Sequence, residues 1–334
     1  MSMEYCYAPM EGITLSRFRQ IHHEMFPGVS EYYTPFIAPD SKGGFRAKFL
    51  RELTTDCGQV TLIPQLLVNN AEAFCLTADR LFELGFREIN LNAGCPSGTV
   101  FSKHKGAGML TDLLALDAIL DQIADHAEKT GYRISVKTRM GVHSTEEFPA
   151  ILEIYEKYPI KKVIVHARCR DDFYQGRADL TGFAAAAAVS RLRLVYNGDI
   201  ATEKDLEALG QAAPTVDSVM VGRAAVANPA LFRVLQGGPQ LTMEELRMFH
   251  DRLTEAWLED GLSPAFTVER MKTLWAYMQA MFPESKREIK AIMKSRSMDG
   301  YRGAVGILLS SGAFHPEVVK DRLGSGRTGD GSLC

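Results

Sequence analysis

The sequence predicts an α/β fold, a (β/α)8 TIM barrel followed by a small all-helical C-terminal domain. Short apolar runs alternate with longer segments of helical period eight times before residue 238, which matches the strand count and the length of this barrel. After a Gly-Gly-Pro sequence at residues 237–239, no strand pattern returns. We therefore predict a barrel domain over residues 1–238, a helical domain over 239–322, and a disordered Gly/Ser-rich tail over 323–334.

The predicted strands are short runs rich in β-branched and aromatic residues. Strict alternation of strands and helices favours a parallel sheet. An open doubly wound sheet is the alternative, and it is disfavoured because no G-x-G-x-x-G sequence follows the first strand. The strands are predicted over residues 5–8, 30–34, 60–67, 88–91, 133–136, 162–165, 192–196 and 218–221.

The predicted helices show apolar residues three and four positions apart, as at Leu113, Leu116 and Leu120. Capping-box sequences at Ser144 and Thr242 predict the starts of two further helices. The last helix of the barrel is predicted over residues 229–236, before the helical domain begins.

Composition excludes several classes of protein. Of the 334 residues, 46% are hydrophobic, which supports a sizeable core and excludes global disorder. The net charge of -3 argues against a chain that is basic throughout, but residues 266–302 carry eight basic and four acidic side chains, and this local excess suits nucleic acid. The six cysteines form no C-x-x-C pair and no zinc-spaced cluster, so no metal is expected. No signal peptide or membrane-length apolar run is present, so we expect a cytoplasmic protein with reduced thiols.

The Gly-Cys-Pro sequence at residues 94–96 predicts a tight loop that presents Cys95 at the end of the fourth strand. In a barrel of this type, chemistry takes place at the carboxyl ends of the strands. Packing alone does not explain polar residues after almost every strand, so a polar ligand is predicted there. The residues at these strand ends are Ala8, Pro9, Met10, Gln65, Asn92, Cys95, Lys137, Arg139, His166, Arg168, Asn197, Gly198, Asp199, Gly222 and Arg223.

The ends of the seventh and eighth strands form the usual phosphate site of this fold. At residues 197–199 (Asn-Gly-Asp) and 222–223 (Gly-Arg), glycine lets backbone N–H groups approach a phosphate, and the arginine can bind it through two hydrogen bonds. Lys137 would point into the barrel mouth and neutralise negative charge on a cofactor ring, as is needed near N1 and O2 of a reduced flavin. His166 would contact the ring or the phosphate. Ordinary strand–helix turns, and a lysine paired with a neighbouring carboxylate, are the alternatives.

Taken together, these motifs resemble the tRNA-dihydrouridine synthase family along the whole barrel. The helical domain that follows also looks like the RNA-binding domain of that family. The matching motifs are Ala8-Pro9-Met10-Glu11-Gly12, Asn92-Ala93-Gly94-Cys95-Pro96-Ser97, Gly106-Ala107-Gly108, Lys137-Thr138-Arg139-Met140-Gly141, His166-Ala167-Arg168, Tyr174-Gln175-Gly176-Arg177-Ala178-Asp179, Asn197-Gly198-Asp199-Ile200, Val221-Gly222-Arg223 and Asn228-Pro229.

The resemblance implies an FMN-dependent reduction of specific uridines in tRNA to 5,6-dihydrouridine, with NADPH reducing the flavin. Hydride would pass from reduced FMN to C6 of the uracil, and Cys95 would be the general acid that protonates C5. A thiol with an ordinary pKa of about 8.5 is mostly protonated at neutral pH and can act in this way. By motif position, FMN would be held by Ala8, Pro9, Met10, Gln65, Asn92, Lys137, His166, Asn197, Gly198, Asp199, Gly222 and Arg223.

The implied RNA substrate requires that the target base leave its stack to reach the barrel mouth. For each charged RNA contact, a solvated surface residue is the alternative.

The sequence departs from the family at Gly98, where many members have lysine, and at Pro35, Cys169 and Asp172. These departures affect the expected substrate contacts more than flavin binding. A monomer that binds tRNA transiently is expected. Contacts to RNA are expected from Asn92, Lys103, Lys105, Arg139, Arg168 and Arg170, together with the basic C-terminal helices.

Two other functions are compatible with parts of this pattern. A flavin-dependent barrel that reduces or oxidises a free small molecule, such as a dihydropyrimidine or dihydroorotate, would not need a basic helical domain. A non-enzymatic RNA-binding barrel would not need Lys137, Cys95 and the phosphate loops together.

Overall fold

A parallel barrel forms the larger part of the computed structural model, which describes residues 3–40, 43–44, 47–53 and 60–318. The strands are β1 (Glu4–Tyr7), β2 (Glu31–Tyr33), β3 (Thr61–Ile63), β4 (Gln65–Leu66), β5 (Glu88–Ala93), β6 (Arg133–Gly141), β7 (Ile160–Cys169), β8 (Leu194–Asn197) and β9 (Ser218–Val221). They pair in the order β3-β2-β1-β9-β8-β7-β6-β5-β4. The prediction of a (β/α)8 barrel with a helical C-terminal region is confirmed, because these segments are the eight predicted strands with the third one divided.

Pro64 divides the predicted third strand into β3 and β4. β3 pairs with β2, whereas β4 pairs with β5. β3 and β4 are the first and last strands in the order of the sheet, and only Pro64 separates them, so the sheet closes into a barrel. Proline has no N–H to donate to a neighbouring strand. Its carbonyl still accepts the N–H of Asn90 at 2.9 Å, and a bridge between Ile37 and Leu66 supports the closure.

Helices surround the barrel and continue into the C-terminal region. The helices are α1 (Ser16–Met25), α2 (Ala47–Leu53), α3 (Ala71–Glu83), α4 (Gly98–Phe101), α5 (Leu113–Thr130), α6 (Phe148–Tyr155), α7 (Leu180–Val189), α8 (Glu203–Ala212), α9 (Arg223–Ala227), α10 (Leu231–Leu235), α11 (Met243–Glu259), α12 (Pro264–Met278), α13 (Lys286–Lys294) and α14 (Met298–Ser311). The predicted capping boxes at Ser144 and Thr242 are confirmed; the first opens a 3-10 turn just before α6, and the second opens α11. The predicted helix over residues 229–236 corresponds to α10, and a further short helix, α9, precedes it.

The predicted tail over residues 323–334 lies outside the described residues. Within the described ranges, no helix combines the length and the apolar character that a membrane crossing requires. The same ranges contain no group of three or more His, Cys, Asp or Glu side chains placed to hold a metal ion.

A buried ion-pair cluster fills the amino-terminal end of the barrel interior. Lys162 on β7 has a side chain that is 1% exposed, and it pairs with Glu31 on β2 and Glu88 on β5. Burial alone would raise the pKa of Glu31, but the charge and hydrogen bonds of Lys162 outweigh burial and lower it. Because these side chains fill this end of the barrel, a ligand is expected at the carboxyl end of the strands. An apolar cluster next to the ion pairs contains Cys6, Ala8, Tyr33, Ile63, Ile164, Val195 and Met220.

The C-terminal helices pack directly against the barrel. On α11, the ring of Phe249 lies 5.6 Å from the ring of Phe18 on α1 and 5.4 Å from that of Phe26, which directly follows α1. Arg17 on α1 also forms a bidentate ion pair with Asp260 just after α11. One continuous apolar core therefore runs through both regions. The domain boundary at residue 238 stays a prediction.

His22 joins α1 to the barrel and to the segment between α9 and α10. The side chain is fully buried, its Nε2–H donates to the carbonyl of Pro229 at 2.8 Å, and its Nδ1 accepts from the hydroxyl of Tyr32 at 2.7 Å. Burial lowers the pKa of His22 to about 3, with a smaller contribution from His23. The folded protein therefore holds this imidazole neutral.

The buried neutral His22 predicts a loss of stability in mild acid. The unfolded chain binds a proton at a pKa of about 6.5, whereas the folded pKa is about 3. The stabilisation of the fold by neutral His22 is therefore complete when the pH is above the unfolded pKa, and it is lost as the pH falls from that pKa toward the folded one. His22→Gln can keep both hydrogen bonds. We expect its unfolding free energy to fall less steeply with decreasing pH than that of the wild type, by about 1.4 kcal/mol per pH unit below about pH 6. Urea unfolding of both proteins at several pH values measures this; parallel curves would contradict it.

Candidate active site

The carboxyl ends of neighbouring strands bring predicted site residues together. Asn92 on β5 and Lys137 on β6 are register partners. His166 on β7 is the partner of Arg139 on β6 and of Asn197 on β8. Side chains from four adjacent strands therefore lie at one end of the barrel, as the strand-end pattern predicts.

The loop after β5 holds Cys95 through backbone hydrogen bonds. The Oδ1 of Asn92 accepts the N–H groups of Gly94 at 3.1 Å and of Cys95 at 2.9 Å. The carbonyl of Cys95 accepts the N–H of Ala107 at 3.0 Å. Gly106 has a φ of +57°, and a Cβ there would lie 2.8 Å from the Cβ of Cys95. Cys95 is 5% exposed, so its thiol lies in a closely packed loop at the barrel end.

A chain of side-chain amides supports this loop from inside the barrel. The Nδ2 of Asn92 donates to Oε1 of Gln65 at 2.8 Å, and the Nε2 of Gln65 donates to Oδ1 of Asn90 at 2.8 Å. Asn90 in turn donates to the hydroxyl of Ser135 at 2.9 Å. Gln65 and Asn92 are among the residues predicted at the strand ends, whereas Asn90 and Ser135 are not. The signal was available, because a residue two positions before Asn92 on the same strand faces the same interior.

Arg139 is buried and acts inside the protein. It is 0% exposed, and its guanidinium donates to the carbonyls of Gly94 at 3.0 Å, Cys169 at 2.7 Å and Phe173 at 2.8 Å. The expected contact of Arg139 with RNA does not fit this arrangement, because its donors are directed at carbonyls from two loops. Its position instead ties the loop of Cys95 to the loop after β7.

Positive charge is concentrated around His166. Burial lowers the pKa of His166 well below its usual range, and the nearby charges of Arg139, Lys137, Arg168 and Arg223 lower it further. The imidazole is therefore neutral, and the surrounding cations create a positive potential. Such a pocket attracts an anionic ligand.

Asp199 orients two of these cations. Its carboxylate pairs with Arg168 at 2.6 Å and with Arg223 at 3.1 Å, and it accepts the N–H of Ala178 at 2.9 Å. Arg168 is 2% exposed and also donates to Nε2 of His166 at 3.3 Å, which fits the neutral ring. A carboxylate repels a phosphate, so Asp199 lies in this site as the partner of the arginines. The burial of Arg168 likewise assigns it to the pocket and not to the surface that RNA would contact.

Tyr174 covers the same pocket from the loop after β7. Its ring centroid lies 5.9 Å from that of His166, 5.5 Å from Cζ of Arg139 and 5.2 Å from Cζ of Arg223. The motif that resembles the family contains this tyrosine, but no role was predicted for it, because its contacts lie on β6, β7 and α9. Its π face stabilises the neighbouring cations.

The end of β1 lies beside the end of β9. The N–H of Ala8 donates to the carbonyl of Val221 at 2.9 Å. A Cβ on Gly222 would lie 3.2 Å from the Cβ of Ala8 and 3.4 Å from Sδ of Met10, so the small residue permits this close approach. The predicted cofactor residues of the first and last strands are therefore neighbours.

The end of β8 is also tightly packed. The Nδ2 of Asn197 donates to the carbonyl of Met220 at 2.8 Å. A Cβ on Gly198 would collide with the ring of Tyr196, so this position requires glycine. The backbone of the predicted phosphate loop is thus fixed by its own strand and by β9.

Three further expected RNA contacts lie on the surface of the barrel mouth, whereas Asn92 is buried. Lys103 is exposed and Lys105 is half-buried; burial and the charge of Lys103 lower the pKa of Lys105. Arg170 follows β7, is partly exposed and pairs with Asp171 at 2.8 Å. These three cations are accessible to a polyanion, in contrast to Arg139.

Comparison with known proteins identifies the class and then the family. A closed parallel barrel with a thiol and a cationic pocket at its carboxyl end defines an α/β-barrel enzyme. The family model described as "Dihydrouridine synthase (Dus)" matches residues 6–298. The chain belongs to the dihydrouridine synthase family, a family of oxidoreductases.

Individual relatives agree with this assignment. A tRNA-dihydrouridine synthase B from Pseudomonas aeruginosa is 28% identical over 230 residues, which cover 68% of this chain and 67% of the relative. A probable tRNA-dihydrouridine synthase from Rickettsia bellii is 30% identical over 238 residues, which cover 69% of this chain and 70% of the relative.

Solved structures share the barrel fold at low identity. Morphinone reductase gives a TM-score of 0.51 at 12% identity, covering 72% of this chain and 87% of that one. Histamine dehydrogenase from Rhizobium sp. 4-9 gives 0.55 at 11% identity, covering 81% of this chain; the match spans 49% of the dehydrogenase. Similarity at this level shows the fold alone.

Replacing Gly106 by alanine is expected to disturb the Cys95 loop. Gly85→Ala is the matched control, because Gly85 has a φ of +98° but open space around its Cβ position. Because the methyl group of an alanine at position 106 would overlap Cys95, we expect Gly106→Ala to lose about 1–3 kcal/mol more unfolding free energy than Gly85→Ala. Cys95 should also react faster with iodoacetamide, which peptide mass spectrometry measures. Equal losses and equal reactivity would contradict the packing described here.

Proposed function

We propose that this protein is a tRNA-dihydrouridine synthase that uses FMN and NADPH to reduce specific uridines in tRNA to 5,6-dihydrouridine. The observation that carries the proposal is a buried thiol loop joined by Arg139 to a cationic pocket at the same end of the barrel. Family membership and the tRNA substrate in the names of the relatives support the choice of substrate. The enzyme would act as a monomer in the cytoplasm.

The cationic pocket fits the phosphate of FMN. Arg223 and the backbone of residues 197–199 and 222–223 would bind it, because a phosphate needs both charge and N–H donors. Asp199 would hold Arg168 and Arg223 in place behind the phosphate. The excess of cations around neutral His166 favours a dianion at this point.

The flavin ring would lie toward the thiol side of the barrel mouth. Gln65, Asn92 and Lys137 would offer amide and ammonium groups to its polar edge, with Ala8 to Met10 beside it. The amide chain from Ser135 fixes the orientation of the first two side chains before any ligand binds. When bound and reduced by NADPH, FMN supplies the hydride for C6 of the uracil.

Cys95 would supply the proton for C5. Its S–H bond breaks as the C5–H bond forms, so hydride and proton together saturate the C5–C6 bond, and the thiolate regains a proton from water. Asn92 and Arg139 place this thiol by holding the backbone of residues 94 and 95. Because these groups act on the loop backbone, they set the position of the thiol at the barrel mouth.

Arg223→Met is expected to weaken FMN binding about ten-fold or more, because a charge-assisted contact to the phosphate is lost. Arg233→Met is the matched control, since Arg233 on α10 is similarly buried but pairs with Glu245 away from the pocket. The flavin absorbance of the purified proteins and titration with FMN measure the effect. A wild-type protein that is colourless and does not take up FMN would remove the cofactor from the proposal.

Cys95→Ala is expected to leave NADPH oxidation nearly intact while reducing dihydrouridine formation about 100-fold or more, because only the proton donor is removed. Cys75→Ala, a half-buried thiol on α3, serves as the control. Both rates are measured with unmodified tRNA as substrate. Equal loss of both rates would make Cys95 a structural or flavin contact. Turnover of a free dihydropyrimidine or dihydroorotate without turnover of tRNA would favour the small-molecule alternative.

A further inference from the structure

Beside the Cys95 loop, an arginine lies between two phenylalanine rings. The Cζ of Arg170 is 4.3 Å from the ring centroid of Phe101 and 5.0 Å from that of Phe173. Phe101 ends α4, which follows β5, whereas Arg170 and Phe173 follow β7. All three residues are partly exposed. This Phe–Arg–Phe stack therefore bridges two loops and presents aromatic surface at the barrel mouth.

Phe173 is held in an unfavourable backbone conformation. Its φ is +50°, in the left-handed region that a bulky aromatic residue rarely adopts. Its N–H donates to the carbonyl of Arg170 at 3.0 Å, and its own carbonyl accepts from Arg139 at 2.8 Å. These bonds keep the ring against Arg170 in spite of the strain. Backbone strain of this kind concentrates at binding sites and catalytic sites.

The stack lies next to the proposed catalytic thiol. One guanidinium, that of Arg139, donates both to the carbonyl of Gly94, which precedes Cys95, and to the carbonyl of Phe173. On the other side, Gly106 follows Phe101 by a short turn and packs on Cys95. A nucleotide whose base reaches Cys95 would therefore place its chain neighbour near the stack.

We infer that Phe101, Arg170 and Phe173 form a stacking site for the base next to the target uridine, an inference that rests on the proposed function. Removal of the target base from its stack exposes a face of the adjacent base. Aromatic rings and guanidinium planes stack on bases of any sequence. Lys103 and Lys105 follow Phe101 in the chain and place positive charge beside the stack, where backbone phosphates would pass.

Phe173→Gly tests this site without endangering the fold, because glycine adopts the left-handed backbone freely. We expect its unfolding free energy to be equal to or higher than that of the wild type, and its FMN content to be unchanged. Its affinity for tRNA should be about ten-fold lower, as expected for the loss of a stacked base. Fluorescence anisotropy with labelled tRNA, measured in the Cys95→Ala background, gives the affinity. Phe101→Leu keeps the apolar volume without the flat ring and should also bind more weakly.

The salt dependence separates stacking from charge. Phe173→Gly should leave the slope of log affinity against log salt unchanged, whereas Lys103→Ala should reduce it by about one if that lysine contacts a phosphate. Phe82→Ala is the matched control, because Arg87 lies 4.3 Å from the Phe82 ring at the opposite end of the barrel. This variant should bind tRNA as the wild type does.

The outcomes distinguish this site from the function on which it rests. If the wild type binds tRNA and Phe173→Gly binds it equally tightly, the stacking site is overturned and the enzymatic proposal stands. A wild type without affinity for tRNA overturns both. Weaker binding accompanied by lost stability or by a shallower salt slope would assign the ring to holding the loop, and would also overturn the stacking site.

Discussion

The buried guanidinium of Arg139 is the contact on which the carboxyl end of the barrel depends. A charge removed from water is costly unless hydrogen bonds replace its solvation. Three carbonyls do so here: those of Gly94 in the loop after β5, of Cys169 at the end of β7 and of Phe173 in the loop after β7. Each fixes the backbone around it: Gly94 precedes the thiol of Cys95, Cys169 ends the strand, and Phe173 carries the aromatic ring beside Arg170. The geometry of the site follows from where these carbonyls must lie.

The same charge belongs to a cluster of cations that favours an anionic ligand. Burial is the main cause of the low pKa of His166, and the charges of Arg139, Lys137, Arg168 and Arg223 lower that pKa further. Asp199 pairs with the last two of these arginines. Binding of a phosphate-bearing cofactor, as proposed, would also stabilise the folded state, since a ligand that binds only the folded protein shifts unfolding.

The sequence predicted the barrel because its information is local: each strand and helix shows its own period, and strand ends share one face. It also predicted that Lys137, His166 and Arg223 would lie at that face. It could not predict that the Arg139 side chain is buried, because the sequence pattern of a long cationic side chain is the same whether the side chain extends into solvent or turns into the protein. The three carbonyls that decide this are 45, 30 and 34 residues away in the chain. His22 and Pro229, 207 residues apart, pose the same difficulty.

Backbone strain is found in two loops at the barrel mouth. Among non-glycine residues in the described part of the chain, His104 and Phe173 have positive φ, and they lie in the loops after β5 and β7. Neither conformation is favourable by itself, so each persists because its surroundings impose it. For Phe173 the imposed contact is the Arg139 hydrogen bond. A buried charge thus fixes a partly exposed aromatic ring, so the interior of the barrel determines which surface its mouth presents. If the proposed stacking site binds a base, flat apolar contact at Phe101 and Phe173 would compensate for the lysine that the resemblance leads us to expect where Gly98 lies.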